Sequence, residues 1–171
     1  MKGFREIDPK ELQENVFSLI GSDWMLITAG NCEKQNTMTA SWGGLCYVWN
    51  YPMAYVVIRP QRYTFEFTER EDRMTLSFFE EKWRKALAYC GSHSGREEDK
   101  FAAAGISVQF TETGTPAIAE ARLVLECCKV YVDMLKAEGF LDKEIVEKWY
   151  PASDYHRVYI LKIEHVFVKE D

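Results

Sequence analysis

The most informative part of this sequence lies between two polar clusters, Asn36-Thr37-Met38-Thr39-Ala40-Ser41-Trp42 and Arg59-Pro60-Gln61-Arg62-Tyr63-Thr64. The apolar run Met53-Ala54-Tyr55-Val56-Val57-Ile58 leads into the second cluster and has the composition of a strand. Such a strand would deliver Arg59 and Arg62 to the edge of a sheet, where Pro60 ends the hydrogen-bond ladder. Thr64 would then be the N-cap of a short helix over residues 65–68.

Both clusters have side chains that suit a ligand. Two arginines beside a helix N-terminus favour an anion site, because guanidinium groups and free backbone N–H groups donate hydrogen bonds to the same anionic oxygens. The cluster at 36–41 offers uncharged donors and acceptors. Either cluster alone is more typical of solvated or purely structural side chains. Together they favour a ligand with a planar polar head and a phosphate tail.

The composition is that of an ordinary folded domain. With 171 residues, 47% of them apolar and 28% charged, the chain predicts a single domain over residues 1–171. The formal net charge of −6 argues against the basic surface that nucleic-acid binding requires. Since no apolar run is long enough to span a bilayer and the N-terminus does not have the pattern of a signal peptide, we expect no membrane association.

Cysteine and histidine usage limits the chemistry further. The five cysteines form no CxxC pair, and their odd number leaves at least one unpaired. This pattern is typical of a reducing compartment, so we expect a cytoplasmic protein. The three histidines lack the spacing of metal ligands, and no metal site is predicted.

The remaining apolar segments predict a sheet-rich fold. Strands are expected near residues 24–29, 36–41, 45–49, 53–58, 73–78, 106–110, 121–132 and 157–168. Helices are expected over residues 9–20 with Asp8 as N-cap, and over 65–68, 82–89, 96–101 and 141–149. Because an open sheet of so many strands would leave exposed edges, we predict a closed or nearly closed antiparallel β-barrel with peripheral α-helices.

Three further residues are candidates for function. Ser94 and Glu97 fit a capping box for the helix over 96–101, whereas Ser92 lies outside that box and its hydroxyl is expected to be free for a ligand. His156, directly before the last strand, is by position more typical of a surface residue than of a catalytic one. No GxSxG, P-loop or GxGxxG motif occurs, which argues against a hydrolase elbow, a nucleoside triphosphatase and a Rossmann cofactor domain.

The order of these motifs resembles the flavin reductase-like proteins with an FMN-binding split barrel, and most of all their flavoredoxin branch. The resemblance runs from about residue 24 to residue 168 and rests on the clusters at 36–42 and 59–64, Cys90-Gly91 with Ser94-Gly95-Arg96, Asp99-Lys100-Phe101, and His156. It implies a six-stranded antiparallel split β-barrel, a homodimer and noncovalently bound FMN.

The resemblance also implies roles for individual residues. The isoalloxazine ring and ribityl chain would be lined by Asn36, Thr37, Met38, Thr39 and Ser41. The phosphate end would be bound through Arg59, Arg62, Tyr63 and Thr64, with help from Ser92, Ser94 and Lys100. His156 corresponds to a histidine near the flavin or the nicotinamide and is the candidate catalytic residue.

We therefore expect an FMN-binding flavoprotein that acts as an NAD(P)H-dependent flavin reductase or oxidoreductase, with NADH or NADPH delivering a hydride to the flavin. Two alternatives are a flavoredoxin-type electron carrier for a redox partner protein and a flavin-binding protein without turnover. The chain departs from the reductase pattern at Lys162, where many reductases have a glycine after the aliphatic pair, and in segment 131–151, which is longer than a hairpin needs.

Overall fold

The computed structural model describes residues 1–170 and is built around one antiparallel sheet of eight strands. Its strands are β1 (Phe4–Ile7), β2 (Met25–Gly30), β3 (Gln35–Ala40), β4 (Gly43–Val48), β5 (Tyr51–Ile58), β6 (Arg73–Phe78), β9 (Leu123–Met134) and β10 (Arg157–Lys169). Two short strands, β7 (Val108–Phe110) and β8 (Pro116–Ile118), pair with each other in a separate hairpin.

Five α-helices lie around the sheet. They are α1 (Val16–Gly21), α2 (Tyr63–Arg70), α3 (Arg84–Ser92), α4 (Lys100–Ala104) and α5 (Lys143–Trp149), and three short 3₁₀ turns cover Pro9–Glu11, Glu81–Trp83 and Ala137–Gly139. None of the helices in residues 1–170 combines the length and the apolarity that a membrane crossing requires.

The sheet is split between β3 and β4. The strands follow the order β3-β2-β6-β9-β10-β5-β4, so β3 and β4 are the two ends of the path, and β1 pairs with the last residues of β10 outside this order. Only Ser41 and Trp42 separate these two strands in the chain, yet no ladder in residues 1–170 joins them. The mainly antiparallel β fold with peripheral helices is confirmed, and the sheet is not closed.

Alternation along the strands explains where the core lies. On β5, Ala54, Val56 and Ile58 are buried, whereas Tyr51 and Tyr55 on the opposite face are exposed, because successive side chains of a strand point to opposite sides. The buried side packs with residues of β2, β6, β9 and β10 into the main cluster, and α1 and α2 contribute to it as well. Each fully buried Leu, Ile or Phe side chain stabilises the fold by about 1.5–3 kcal/mol.

Several local expectations are corrected. Asp8 accepts a hydrogen bond from the Lys10 N–H but caps only a 3₁₀ turn, and the helix expected from residue 9 begins at Val16 with Asn15 as its N-cap. The helix expected over 96–101 instead covers Lys100–Ala104, because the Asp99 carboxylate caps it by accepting from two backbone N–H groups. The strands β1 and β8 were not expected from the sequence pattern.

Candidate functional site

Two adjoining clefts lie beside the split in the sheet. The first has a volume of about 270 Å³ and is lined by Met38, Thr39, Ala40, Ser41, Trp42, Val57, Arg59, Arg62, Trp149 and His156. The second has a volume of about 210 Å³ and is lined by Gln61, Arg62, Tyr63, Thr64, Gly91, Ser92, His93, Ser94 and Lys100. Because Arg62 lines both clefts, one elongated ligand can occupy them together.

The second cleft has two cationic side chains at its base. Lys100 is only 3% exposed and donates to the backbone carbonyl of Cys90 at 3.1 Å, and Arg62 donates to the same carbonyl at 3.4 Å. Burial lowers the pKa of Lys100 to about 8 and also lowers the pKa of Arg62. Within residues 1–170 neither cation forms an ion pair with a carboxylate. A ligand with anionic oxygens would supply the acceptors that they lack.

The N-terminus of α2 faces the same cleft. Arg62 occupies the N-cap position and its side chain makes no capping hydrogen bond, so the first N–H groups of α2 are not satisfied by a side-chain cap. Thr64 was expected to be this cap, and that is wrong, because Thr64 lies inside α2. Its buried hydroxyl accepts a hydrogen bond from the Asn36 side-chain amide at 2.8 Å.

Asn36 ties β3 to α2 and also contacts the loop over the second cleft. A Cβ atom built on Gly95 would lie 2.1 Å from Asn36 Oδ1, so this backbone approach requires a glycine. Neither cleft is lined by Asn36 itself. The observed contacts of Asn36 are therefore structural. Its side chain lies behind the residues that line the clefts, so a role in cofactor binding would be indirect.

The other residues of β3, and Ser41 after it, differ in whether they reach a cleft. The hydroxyl of Thr37 is fully buried against Thr28 Oγ1 at 2.9 Å and the Ile27 carbonyl at 3.2 Å, so Thr37 does not reach either cleft and the expected contact with a ligand is corrected. Met38, Thr39 and Ser41 line the first cleft, as expected. The Thr39 hydroxyl donates to the Leu87 carbonyl and so anchors this part of β3 to α3.

Arg59 and Arg62 both line the first cleft but bind different groups of the protein, so their joint anion site stays a prediction. The Arg59 guanidinium forms an ion pair with Asp154 and donates to the Trp149 carbonyl at 2.7 Å. It also lies over the ring of Tyr150, 5.4 Å from the ring centre. Arg59 lines the first cleft only, whereas Arg62 reaches the second.

The two serines of the loop after α3 also differ from their expected roles. Ser92 is the last residue of α3, and its hydroxyl is not free, because it donates to the Ala88 carbonyl at 3.0 Å and contacts His93 Nδ1 at 3.0 Å. The Ser94 hydroxyl accepts a 3.3 Å hydrogen bond from the Arg96 N–H and caps no helix. Both serines line the second cleft.

His156 lies in the wall of the first cleft and is 7% exposed. Its Nδ1 is 2.9 Å from the Tyr150 hydroxyl. Burial, followed by the nearby charge of Arg59, lowers the pKa of His156 to about 4, so the imidazole is neutral at pH 7. With the Tyr150 hydroxyl as donor to Nδ1, the ring proton is on Nε2. The position of His156 in the cleft agrees with the expected location near a ligand.

Two tryptophans complete the first cleft, and the sequence analysis did not assign them to it. Trp42, in the split between β3 and β4, meets Trp149 edge to face with ring centres 4.9 Å apart, and its ring centre lies 5.2 Å from that of His156. The one sequence signal for Trp149 is its place at the end of the helical segment just before His156. That signal does not reveal that α5 folds back over the cleft.

Comparison with known proteins identifies relatives of this fold. A family model described as flavin reductase like domain matches residues 17–171. A search of curated proteins found no match.

Solved structures with the same fold include an FMN-binding protein from Thermus thermophilus with bound p-hydroxybenzaldehyde, which is 22% identical with a TM-score of 0.69 over 99% of this chain and 83% of that chain. The flavoredoxin from Methanosarcina acetivorans is 24% identical, with a TM-score of 0.68 over 96% of this chain and 77% of that chain. An NADH:FAD oxidoreductase of Streptomyces globisporus, SgcE6, in complex with NAD and FAD fragments is 17% identical, with a TM-score of 0.64 over 84% of this chain and 67% of that chain.

Proposed function

This chain belongs to the flavin reductase-like family, and we propose that it is an FMN-binding flavoprotein that accepts a hydride from NADH or NADPH. The observation that carries the FMN proposal is the pair of cations at the base of the second cleft. Lys100 is almost fully buried without a carboxylate partner, next to the half-buried Arg62 and the uncapped start of α2. A phosphate group supplies the negative charge and the hydrogen-bond acceptors that this end of the site calls for.

The first cleft fits the planar part of the same ligand. Its walls combine apolar and aromatic groups with the Thr39 and Ser41 hydroxyls, a composition typical of pockets that hold a ring and orient it through a few polar contacts. Arg62 stands between the two clefts and would contact the ligand where the ring end passes into the phosphate end. When bound, FMN supplies the redox chemistry, and the protein supplies binding and orientation.

His156, in the wall of the first cleft, supports the proposal of reductase activity. His156 is neutral at pH 7, and with the Tyr150 hydroxyl donating to Nδ1 its Nε2–H would be the remaining donor, which suits the carboxamide oxygen of a nicotinamide or a flavin oxygen. The SgcE6 structure contains NAD fragments on the same fold, which gives a nicotinamide donor a precedent. No side chain of this chain needs to act as acid or base in a direct hydride transfer, so we assign orientation to His156.

We also propose that the single domain forms a homodimer. The face of β5 that points away from the core exposes Tyr51 and Tyr55, which are 49% and 41% accessible, and the adjoining turn exposes Trp49 at 55%. Tyr55 is in register with Ile160 of β10, and Ile160 with the exposed Tyr131 of β9, so the apolar surface continues across three strands. Apolar patches of this kind are typical of protein interfaces.

A pair of titrations tests FMN binding. FMN and riboflavin differ only by the phosphate, so the wild-type protein should bind FMN more tightly, and Arg62→Gln should lower the FMN affinity by about ten- to a hundredfold while riboflavin affinity changes little. Fluorescence quenching of each flavin measures both affinities. Equal wild-type affinities for FMN and riboflavin would refute the phosphate site.

Stopped-flow absorbance tests turnover separately. Anaerobic mixing of the FMN-loaded protein with excess NADH or NADPH should bleach the visible flavin absorbance, and the faster reductant identifies the donor. If neither nicotinamide bleaches the flavin but a protein donor or dithionite does, the reductase proposal fails and an electron carrier for a partner enzyme takes its place.

A further inference from the structure

The segment between β9 and β10, residues 135–156, forms part of the first cleft, and its apolar anchorage lies in side chains at the end of its helix, the buried Tyr150 and the Trp149 ring against Trp42. We call it the cover segment. Its helix α5 has seven residues and buries none of them, and Leu141, two residues before the helix begins, is 98% exposed. A helix this short is marginal in water without tertiary contacts. The residues of α5 themselves therefore contribute little apolar burial, and contacts at the end of the helix hold it where it lies.

Polar contacts from the end of β5 hold the cover segment in place. Arg59 donates to the Trp149 carbonyl at 2.7 Å and pairs with the carboxylate of Asp154 through Oδ2, and Gln61 donates to the same oxygen at 2.8 Å. Among the described residues no group donates to the buried Asp154 Oδ1. The Asp154 carboxylate thus depends on Arg59 and Gln61 for its hydrogen bonds.

Arg59 connects the end of a sheet strand to the cover segment. It follows β5 directly, and the preceding residue Ile58 is paired with Arg157 at the start of β10. The base of the cover segment is closed by a hydrogen bond from the Leu135 N–H to the His156 carbonyl at 2.9 Å. The Arg59 contacts add a second fixed point between residues 149 and 154.

We propose that Arg59 is a positioning residue that holds the cover segment against the first cleft, and that it thereby shapes the side of the site where the second substrate binds. Its bond to the Trp149 carbonyl sets the indole edge to face against Trp42. Its position over Tyr150 fixes the hydroxyl that contacts His156. This inference rests on the proposed function, because it assigns the second substrate to the cleft next to the flavin.

The proposal separates the two arginines by role. Arg62 acts on the phosphate end of the site, and Arg59 acts on the wall that faces the nicotinamide. Removing Arg59 should therefore leave the preference for FMN over riboflavin intact, whereas a direct phosphate ligand would lose that preference. The ratio of the two flavin affinities distinguishes these roles even if both variants bind flavin more weakly overall.

The experiment compares Arg59→Gln, Asp154→Asn, the double variant and Arg62→Gln, with Arg70→Gln as a control for the loss of an exposed arginine. We expect Arg59→Gln to keep the FMN-to-riboflavin affinity ratio within about twofold of wild type, while Arg62→Gln reduces it about tenfold or more. An equal loss of the ratio in both variants would overturn the proposal, because Arg59 would then be a phosphate ligand.

Two further measurements, steady-state kinetics and trypsin cleavage, test whether Arg59 holds the cover segment in place. Arg59→Gln and Asp154→Asn should raise the KM for the nicotinamide more than they lower kcat, and the double variant should be no worse than the poorer single variant, because both remove the same contact. Trypsin should cut faster at the exposed Lys143 and Lys148 in both variants than in wild type or Arg70→Gln.

Unchanged trypsin cleavage in Arg59→Gln would overturn the proposal regardless of turnover. If the wild-type protein binds no FMN, the proposed function fails, and cleavage still decides whether Arg59 holds the segment. If FMN binds and neither nicotinamide reacts, the affinity ratio and the cleavage rates together decide whether Arg59 positions the segment or binds the phosphate. In Arg59→Lys, the charge is kept but the fork that reaches two acceptors is lost, so only partial rescue is expected.

Discussion

FMN affinity should fall as the pH rises from 7 to 9, because Lys100 lines the cleft that we propose binds the phosphate. This side chain is 3% exposed, and burial lowers its pKa to about 8, with Arg62 lowering it further and Cys90 and Glu98 acting in the opposite direction. Burial raises the pKa of the Cys90 thiol. Lys100 is therefore the group at this end of the site that changes charge between pH 7 and pH 9.

The size of the effect follows from the protonated fraction. A group with a pKa of about 8 is charged in about nine of ten molecules at pH 7 and in about one of eleven at pH 9. If the phosphate binds the charged form, the apparent affinity falls about tenfold over this range, because it scales with the competent fraction. The phosphate itself is mostly dianionic throughout, since its second pKa is about 6.

The assay is a fluorescence titration of FMN and riboflavin at pH 7, 8 and 9. Riboflavin lacks the phosphate, so its affinity should change little and it serves as the internal control. In Lys100→Met the FMN affinity should be weak and nearly independent of pH. Binding of FMN to wild type at pH 8 should take up protons, which calorimetry in two buffers of different ionisation enthalpy detects. An FMN affinity that is flat from pH 7 to 9, or that falls equally for riboflavin, would refute the reasoning.

Three other outcomes follow from the structure. Gly95→Ala should weaken FMN binding at least several-fold by fluorescence titration, because the added Cβ would lie 2.1 Å from Asn36 Oδ1 and must displace either that side chain or the loop over the second cleft; normal binding would show that the loop tolerates the shift. Tyr55→Glu should convert the proposed dimer to a monomer in light scattering, because it places a charge in the exposed apolar face; a monomeric wild type would rule out the interface. The buried His156 binds a proton less readily in the folded state, where its pKa is about 4, than in the unfolded state, so the protein should lose about 2 kcal/mol of stability between pH 7 and pH 5. Urea unfolding of wild type and His156→Gln checks this, since the variant should lack most of that pH dependence.

The sequence by itself determined the elements whose signals are local. The apolar run over 53–58 predicts the strand β5, and the apolar segments of β2 and β10 predict further strands. The order of motifs identified the family, and the family model confirms it over residues 17–171. Lys100 and Arg62 were expected at the phosphate end, and both lie at one cleft, where their role stays a prediction.

Tertiary structure decided which side chains reach that site. Thr37 and Thr39 are equivalent in the sequence pattern, but the Thr37 hydroxyl bonds to β2 inside the sheet, whereas the Thr39 hydroxyl bonds to α3 and Thr39 lines the first cleft. Thr64 looked like a helix cap, but an amide from β3 binds its hydroxyl inside α2. Thr37 and Thr39 share a face of β3, so their different outcomes depend on which element packs beside each position, and that of Thr64 on where the helix starts.

Arg59 shows most clearly why the sequence alone does not determine the partners of a side chain. Its neighbours in sequence, Pro60 and Arg62, place it at a strand end beside a helix, and that local setting favours an anion site equally for both arginines. Its actual partner, Asp154, is 95 residues away in the chain. The sequence of the segment that contains Asp154 does not indicate that this segment folds against Arg59. The groups that can pair with the Arg59 guanidinium are those that folding brings near it, and the packing of distant segments, not the local sequence, determines which groups these are.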